Sequence, residues 1–341
     1  MRCHMQTALK KQIFHILLII SLTIFAIWFA LKDDYRSVWA YLSHMSVYWM
    51  MGLALLGIMY YSMQGFIIYR LALPYKKDIR IWDGVHNAYI AAFFNGVTPL
   101  GGGQVAQTYA FRKLAIPYQN IASILWKDFF LYQSTVLVYV FILLCMRFSY
   151  ALSHLQFYFF LVILGFLINA SVIVMLWTMA RFPSLYVKIT VRLVSLLYKL
   201  RIVKNKEETL QKWKAQILYF NEEIKQLKKQ KQVVLEAVGL NIIRMTIFYA
   251  IPYLVAAALH VPIPLSSFIN VLFISACIHM LNALTPLPGD TGWTESAFII
   301  LFSLVIDRSQ ASSIMIIWRF VTYHLQVCIG GIIFLYVKSK Q

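Results

Sequence analysis

Long apolar runs alternate with short basic segments along most of the chain, a pattern that predicts an all-α, polytopic membrane protein. Six runs, at 13–31, 47–69, 120–146, 156–180, 233–258 and 311–337, are long enough to be full transmembrane helices, since about 20 apolar residues cross the hydrocarbon core. The first follows Arg2, Lys10 and Lys11 and precedes no small-residue cleavage site, so it is expected to be retained as a helix. Two further apolar segments, 84–111 and 266–306, are interrupted by proline and glycine. Between the fourth and fifth runs lies a polar stretch, 181–232, with apolar residues at helical spacing. Leu185, Ile189, Leu193, Leu196 and Leu200 make one stripe, and Leu210, Trp213, Ile217, Phe220, Ile224 and Leu227 make another. Spacing by three and four puts each set on one side of a helix. The two stripes are expected to face each other in an antiparallel helical hairpin, or to rest on the inner leaflet.

The two interruptions repeat one motif. Asn95-Gly-Val-Thr98-Pro99-Leu100-Gly101-Gly102-Gly103-Gln104 is matched by Asn282-Ala-Leu-Thr285-Pro286-Leu287-Pro288-Gly289-Asp290-Thr291, through the shared form Asn-x-(Val/Leu)-Thr-Pro-Leu-x-Gly. Proline removes a backbone donor and glycine admits unusual dihedrals, so each motif should break a helix. Breaks at corresponding places in two halves of a membrane protein point to a transporter's binding site.

Charge then sets the topology. Stretch 181–232 holds thirteen Lys/Arg and four Glu, a net 13 − 4 = +9, which the positive-inside rule places in the cytoplasm. It lands there only if 84–111 dips into the membrane and returns, and the same logic makes 266–306 a second re-entrant hairpin, entering from the opposite side. The chain then reads as a single integral membrane domain, 1–341, with both termini cytoplasmic. Residues 47–146 form a first repeat, 233–337 a second of inverted topology, and 181–232 a cytoplasmic basic helical insertion between them.

A composition of 61% hydrophobic and 13% charged residues excludes an ordinary soluble domain. The net charge of +18 comes with no nucleic-acid-binding motif, and its clustering between spans suits attraction to anionic lipid instead. The four cysteines, Cys3, Cys145, Cys277 and Cys328, show no metal or disulfide spacing. No P-loop, nucleophile elbow or His-x-x-Glu-type metal motif occurs, so no cofactor, metal or catalytic set is expected.

The chemistry therefore rests on the breaks and on intramembrane polar groups. A helix that restarts after Gly103, or after Gly292, would aim free N–H groups and a positive dipole end into the site, which suits a phosphate. Asn95, Thr98, Gly101, Gly102, Gly103, Gln104 and Gln107 line the first break; Asn282, Thr285, Gly289, Asp290, Thr291 and Gly292 line the second. The threonines and asparagines either bind a headgroup or satisfy carbonyls freed by Pro99 and Pro286. Ionisable residues within spans are costly and point to function. Lys127 and Asp128 are placed to pair or to hold a headgroup. Arg244 and Arg319 are phosphate anchors in this reading, while Glu295 either holds an arginine or attracts a cationic headgroup. Internal ion pairing is the alternative for each.

Two patterns, Thr98-Pro99…Gly102-Gly103-Gln104-x-x-Gln107-x-Tyr109 and Pro286-x-Pro288-Gly289-x-x-Gly292-x-x-Glu295, resemble those of the lysylphosphatidylglycerol synthase transmembrane-region family of flippase-like proteins, over about residues 10–337. The first departs from the commoner Gly-Gly-Asp-x-x-Arg form by having Gln104 and Gln107, which removes a carboxylate and a guanidinium, so the headgroup is not carried over. The resemblance implies a bacterial plasma-membrane protein. In bifunctional members this membrane part moves lysyl-phosphatidylglycerol to the outer leaflet, and a soluble domain makes that lipid from lysyl-tRNA; with four residues after 337, that domain is not expected here. The expected activity is translocation of a phosphate-bearing lipid: an aminoacyl-phosphatidylglycerol, a glycolipid or a polyprenyl-phosphate sugar. The rivals are a membrane-embedded lysyltransferase using Lys127 and Asp128, and a scaffold whose Leu210–Leu227 helix recruits a lipid-modifying enzyme. Membrane lipids are the expected partners, and a homodimer is left open.

Overall fold

The computed structural model describes residues 43, 45–98, 102–200, 205–285 and 287–339. The run 13–31, Pro99, Gly101 and Pro286 lie outside the described residues. Within them the secondary structure is helical throughout, with no strand.

Helix α1 (Val47–Ala72) is followed by α2 (Ile81–Val97), α3 (Gly103–Lys113) and α4 (Tyr118–Met146). A short α5 (Phe148–His154) leads to α6 (Phe157–Arg181) and to the polar insertion, α7 (Pro183–Lys199) and α8 (Lys206–Lys229). Then come α9 (Lys231–Ala258), α10 (Phe268–Leu281), α11 (Trp293–Phe302), α12 (Arg308–Arg319) and, after a π-helical turn at Phe320–His324, α13 (Leu325–Ser339).

Sequence chemistry explains where these elements start and stop. Pro183 opens α7, where a proline's missing N–H costs nothing. The Asn205 side chain caps α8 by accepting from the Glu208 amide at 3.2 Å. Glu207 and Glu208 open α8 and Lys228 and Lys229 close it, each complementing the helix dipole.

Among the described residues, six helical stretches are long and apolar enough to cross a membrane: Val47–Ala72, Tyr118–Met146, Phe157–Met179, Lys231–Ala258, Leu265–Leu284 and Arg308–Ser339. The chain is a multi-pass membrane protein. Five of these match the sequence reading. The sixth, Leu265–Leu284, is the first limb of the second broken segment; 3-10 turns flanking α10 extend it to the length of a span.

The first broken segment is a helical hairpin. The Gly103 amide donates to Asn95 Oδ1 at 2.9 Å, and further from the tip Asn87 Nδ2 donates to the Gln107 carbonyl at 3.0 Å. Pairs eight and then twenty residues apart mean that α2 and α3 run antiparallel. At the second break, Trp293 Nε1 donates to the Leu281 carbonyl at 3.0 Å and Thr294 Oγ1 to Asn282 Oδ1 at 3.0 Å, tying α11 back to the end of α10.

Small residues let the first hairpin pack closely, the usual means of helix association in lipid. A Cβ on Gly65 of α1 would meet the backbone of Val85 in α2, and one on Gly330 of α13 would meet the Tyr89 carbonyl. The first hairpin is thus wedged between α1 and α13. The largest apolar core lies among α4, α9, α10, α11 and α12, and a second joins α1, α2, α4 and Leu227 of α8.

One expectation is corrected. Stripe 185–200 does not face α8. Helix α7 buries its other side, Thr190 and Val194, and leaves Leu185, Ile189, Leu193, Leu196 and Leu200 exposed. The α8 stripe does turn inward, with Ile224 and Leu227 buried. Glu223 lies on that inward side and is bound by Lys127 of α4, which fixes how α8 is rotated and leaves α7 to pack by what remains.

Candidate functional site

Among the described residues, a polar centre lies at each hairpin. At the first, a cavity of about 280 Å³ is lined by α1, α2, α3, α4 and α9. Asn95, Gln104, Gln107, Asp128 and Arg244, all singled out by sequence, line it together with Tyr60, Tyr61, Gln64 and Tyr132.

Arg244 is buried in α9, where its hydrogen-bond partners are neutral and the charge near it is that of Asp128. Its Nη1 donates to Asn241 Oδ1 and its Nη2 to Gln64 Oε1, both at 3.0 Å. The guanidinium lies over the rings of Tyr60 and Tyr132, 4.4 and 5.0 Å from their centroids, where the ring faces attract a cation. Asp128 is also buried and is held by Gln64. Arg244 Nε and Asp128 Oδ1 are both buried without a hydrogen-bond partner. Each oppositely charged group therefore keeps bonding capacity unused, in a cavity where that is costly.

The helix restarts are capped by the chain itself. Thr98 Oγ1 donates to the Phe94 carbonyl at 2.6 Å and accepts from the Gly102 amide at 2.8 Å, while Asn95 accepts from Gly103. At the second break the Gly292 amide donates to Glu295 Oε2 at 2.6 Å. The amides of Gly102, Gly103 and Gly292, expected to cradle a phosphate, thus already have acceptors. Asn95 and Asn282 do equivalent work in the two motifs, each accepting from the start of the following helix. Thr98 and Thr285 both take extended dihedrals, as a residue preceding proline must.

The second centre is an ion pair. Arg319 Nε donates to Glu295 Oε1 at 2.6 Å, with both side chains 8% exposed. Arg319 Nη2 also donates to the Gly289 carbonyl at 2.9 Å, and the guanidinium lies 4.4 Å over the Tyr323 ring. Gly289 and Gly292 have φ of 56° and 86°, a region glycine enters with no Cβ penalty. Asp290 follows in the same left-handed region, φ 51°, and Thr291 Oγ1 reaches Tyr323 Oη at 3.5 Å. Tyr323 in turn donates to the Gly96 carbonyl at 3.1 Å. One phenol thereby touches both hairpin tips.

Residues 13–330 match the family model described as lysylphosphatidylglycerol synthase TM region. The chain belongs to this family. No curated protein matches it. Family membership and the six apolar helices together make this a membrane domain with a lipid-related role.

Within this family member, Lys127 and Asp128 are neighbours in sequence that serve different places. Lys127 turns from the cavity to Glu223 of α8 at 2.6 Å and to the Tyr75 hydroxyl at 2.7 Å, and is buried. Burial pushes the Glu223 carboxyl up, but hydrogen bonds from Lys127 and Tyr75 outweigh it and hold the group below its ordinary 4.5. The sequence reading missed Gln64, Asn241, Tyr60, Tyr132 and Tyr323. The first two carry a signal it passed over, being isolated amides within apolar spans. The tyrosines are three among twenty-one and carry none.

Proposed function

We propose that this membrane domain moves a phosphate-bearing lipid between leaflets, taking the headgroup into the Arg244–Asp128 cavity while the acyl chains stay in the bilayer. The observation that carries the reading is the pair of unsatisfied buried groups, Arg244 Nε and Asp128 Oδ1. A phosphate oxygen supplies the acceptor that Arg244 lacks, in a charge-assisted bond. Asp128 supplies the acceptor for an ammonium, so the opposite charges favour a headgroup bearing both, as aminoacyl-phosphatidylglycerol does. A volume of about 280 Å³ is at the small end of small-molecule sites and suits a headgroup alone. The two broken segments, as inverted repeats with basic loops towards the cytoplasm, would gate the cavity from opposite sides.

The test is leaflet-resolved transport in liposomes containing the purified protein, with labelled aminoacyl-phosphatidylglycerol and a labelled glycolipid. Transport of the aminoacyl lipid, lost in Arg244→Gln and reduced in Asp128→Asn, is the expected outcome. Gly102→Trp is the blocked control, since even a Cβ there would meet the Thr98 side chain. Transport unaffected by either cavity variant would overturn the reading.

A further inference from the structure

Helix α7 leaves its most apolar side unpartnered. Leu185, Ile189, Leu193, Leu196 and Leu200 are between 42% and 60% exposed, and they cover only roughly 80° of the helix circumference at about 100° per residue. Lys188, Arg192 and Lys199 are exposed along one edge of that stripe, and the helix carries no acidic residue. Its opposite side packs against α8, so no rotation of α7 alone hides the leucines.

The position of α7 along the chain decides what covers them. The membrane span Phe157–Met179 ends just before Pro183, where α7 begins, and the intervening backbone reaches at most about 14 Å. The start of α7 is therefore held at the bilayer surface. The junction has the residues of an interface, with Trp177 and Phe182 exposed and the Arg181 guanidinium over the Phe182 ring at 5.6 Å; aromatic and basic side chains favour the headgroup level.

We infer that α7 is an interfacial helix whose leucine stripe inserts into the leaflet where α6 ends, with Lys188, Arg192 and Lys199 binding anionic phospholipid headgroups. An amphipathic helix with a basic edge and no acid is built to lie in the plane of such a surface. Its partner α8 is pinned to α4 by the buried Glu223–Lys127 pair, which gives α7 a fixed seat on the membrane. The inference does not depend on the transport reading.

Spin labels on full-length protein test it. In a background with the native cysteines replaced, single labels are placed at Ile189→Cys, Leu193→Cys and Leu196→Cys, with Gln216→Cys on the exposed side of α8 as reference. The protein is reconstituted in nanodiscs of phosphatidylcholine with phosphatidylglycerol. The three α7 labels are expected to collide with oxygen rather than with a water-soluble nickel complex, at a depth of about 5–10 Å below the phosphates, and the reference label to do the reverse. The three positions report independently, so one poorly folded variant does not remove the test. Nickel access at all of them would show a solvated face, and dipolar coupling between labels on two copies would show a dimer contact; either overturns the inference.

Discussion

Replacing Glu295 with glutamine should destabilise the protein by about 3 kcal/mol, nearly all of it through Arg319. The two side chains are 8% exposed and meet at 2.6 Å. Removing one partner of such a buried pair costs about 3–5 kcal/mol, because the remaining charge is left uncompensated. Two features move the estimate to the lower end. Arg319 keeps the Gly289 carbonyl and the Tyr323 ring, and glutamine keeps an oxygen to accept from the Gly292 amide, losing only the charge-assisted share of that bond. Arg319→Met should cost a similar amount, by stranding the carboxylate. The double variant strands neither charge, so it should be more stable than the sum of the single losses predicts. A double-mutant cycle, read from unfolding in mixed micelles of mild detergent and dodecyl sulfate, should then give a coupling of about 2–3 kcal/mol. A coupling below about 0.5 kcal/mol, the ordinary scatter of additivity, would refute the claim that this pair holds the second break together.

The insertion should be pH-sensitive. Glu223 is held below its ordinary 4.5, so its contribution is fully present above that pH and is lost as pH falls through the lowered value. Amide exchange of 210–227, corrected for intrinsic rates, should therefore rise on acidification below pH 4.5, and Glu223→Gln should remove the step. On α1, Gly65→Leu should prevent recovery of folded protein, since overpacking costs about 1–3 kcal/mol even where neighbours yield and here they are the Val85 backbone. Gly52→Leu on the same helix should be tolerated, as a Cβ there meets nothing within 4 Å; size-exclusion profiles separate the two. Tyr323→Phe loses the bond to Gly96, worth about 1 kcal/mol, and should speed amide exchange at Gly102 and Gly103 about fivefold.

What could be read from the sequence follows from which interactions are local. The five spans that fall among the described residues, and both breaks, were legible because apolar run length and the Thr-Pro and Gly signals act over a few residues. Arg244 and Asp128 were legible as residues, because a charge inside a span is conspicuous wherever it points. Their meeting in one cavity was not, since it depends on α4 and α9 packing around Gln64, and neither helix encodes the other's rotation. Lys127 shows the same limit: next to Asp128, it turns instead to Glu223, ninety-six residues away. The amides at the helix restarts show it most clearly. Sequence correctly gives a helix beginning after glycine and hence a set of unsatisfied N–H groups. It cannot say whether a ligand or the chain will satisfy them, because Asn95 acts across the break and Glu295 from within the first turn. Where the chain supplies the acceptor, as at Gly102, Gly103 and Gly292, those amides are already occupied, whereas Arg244 Nε and Asn241 Nδ2 at the first centre are buried without a partner. The repeated motif therefore caps its own helix restarts, and under the proposed function the buried arginine in α9 is the group left to meet a headgroup.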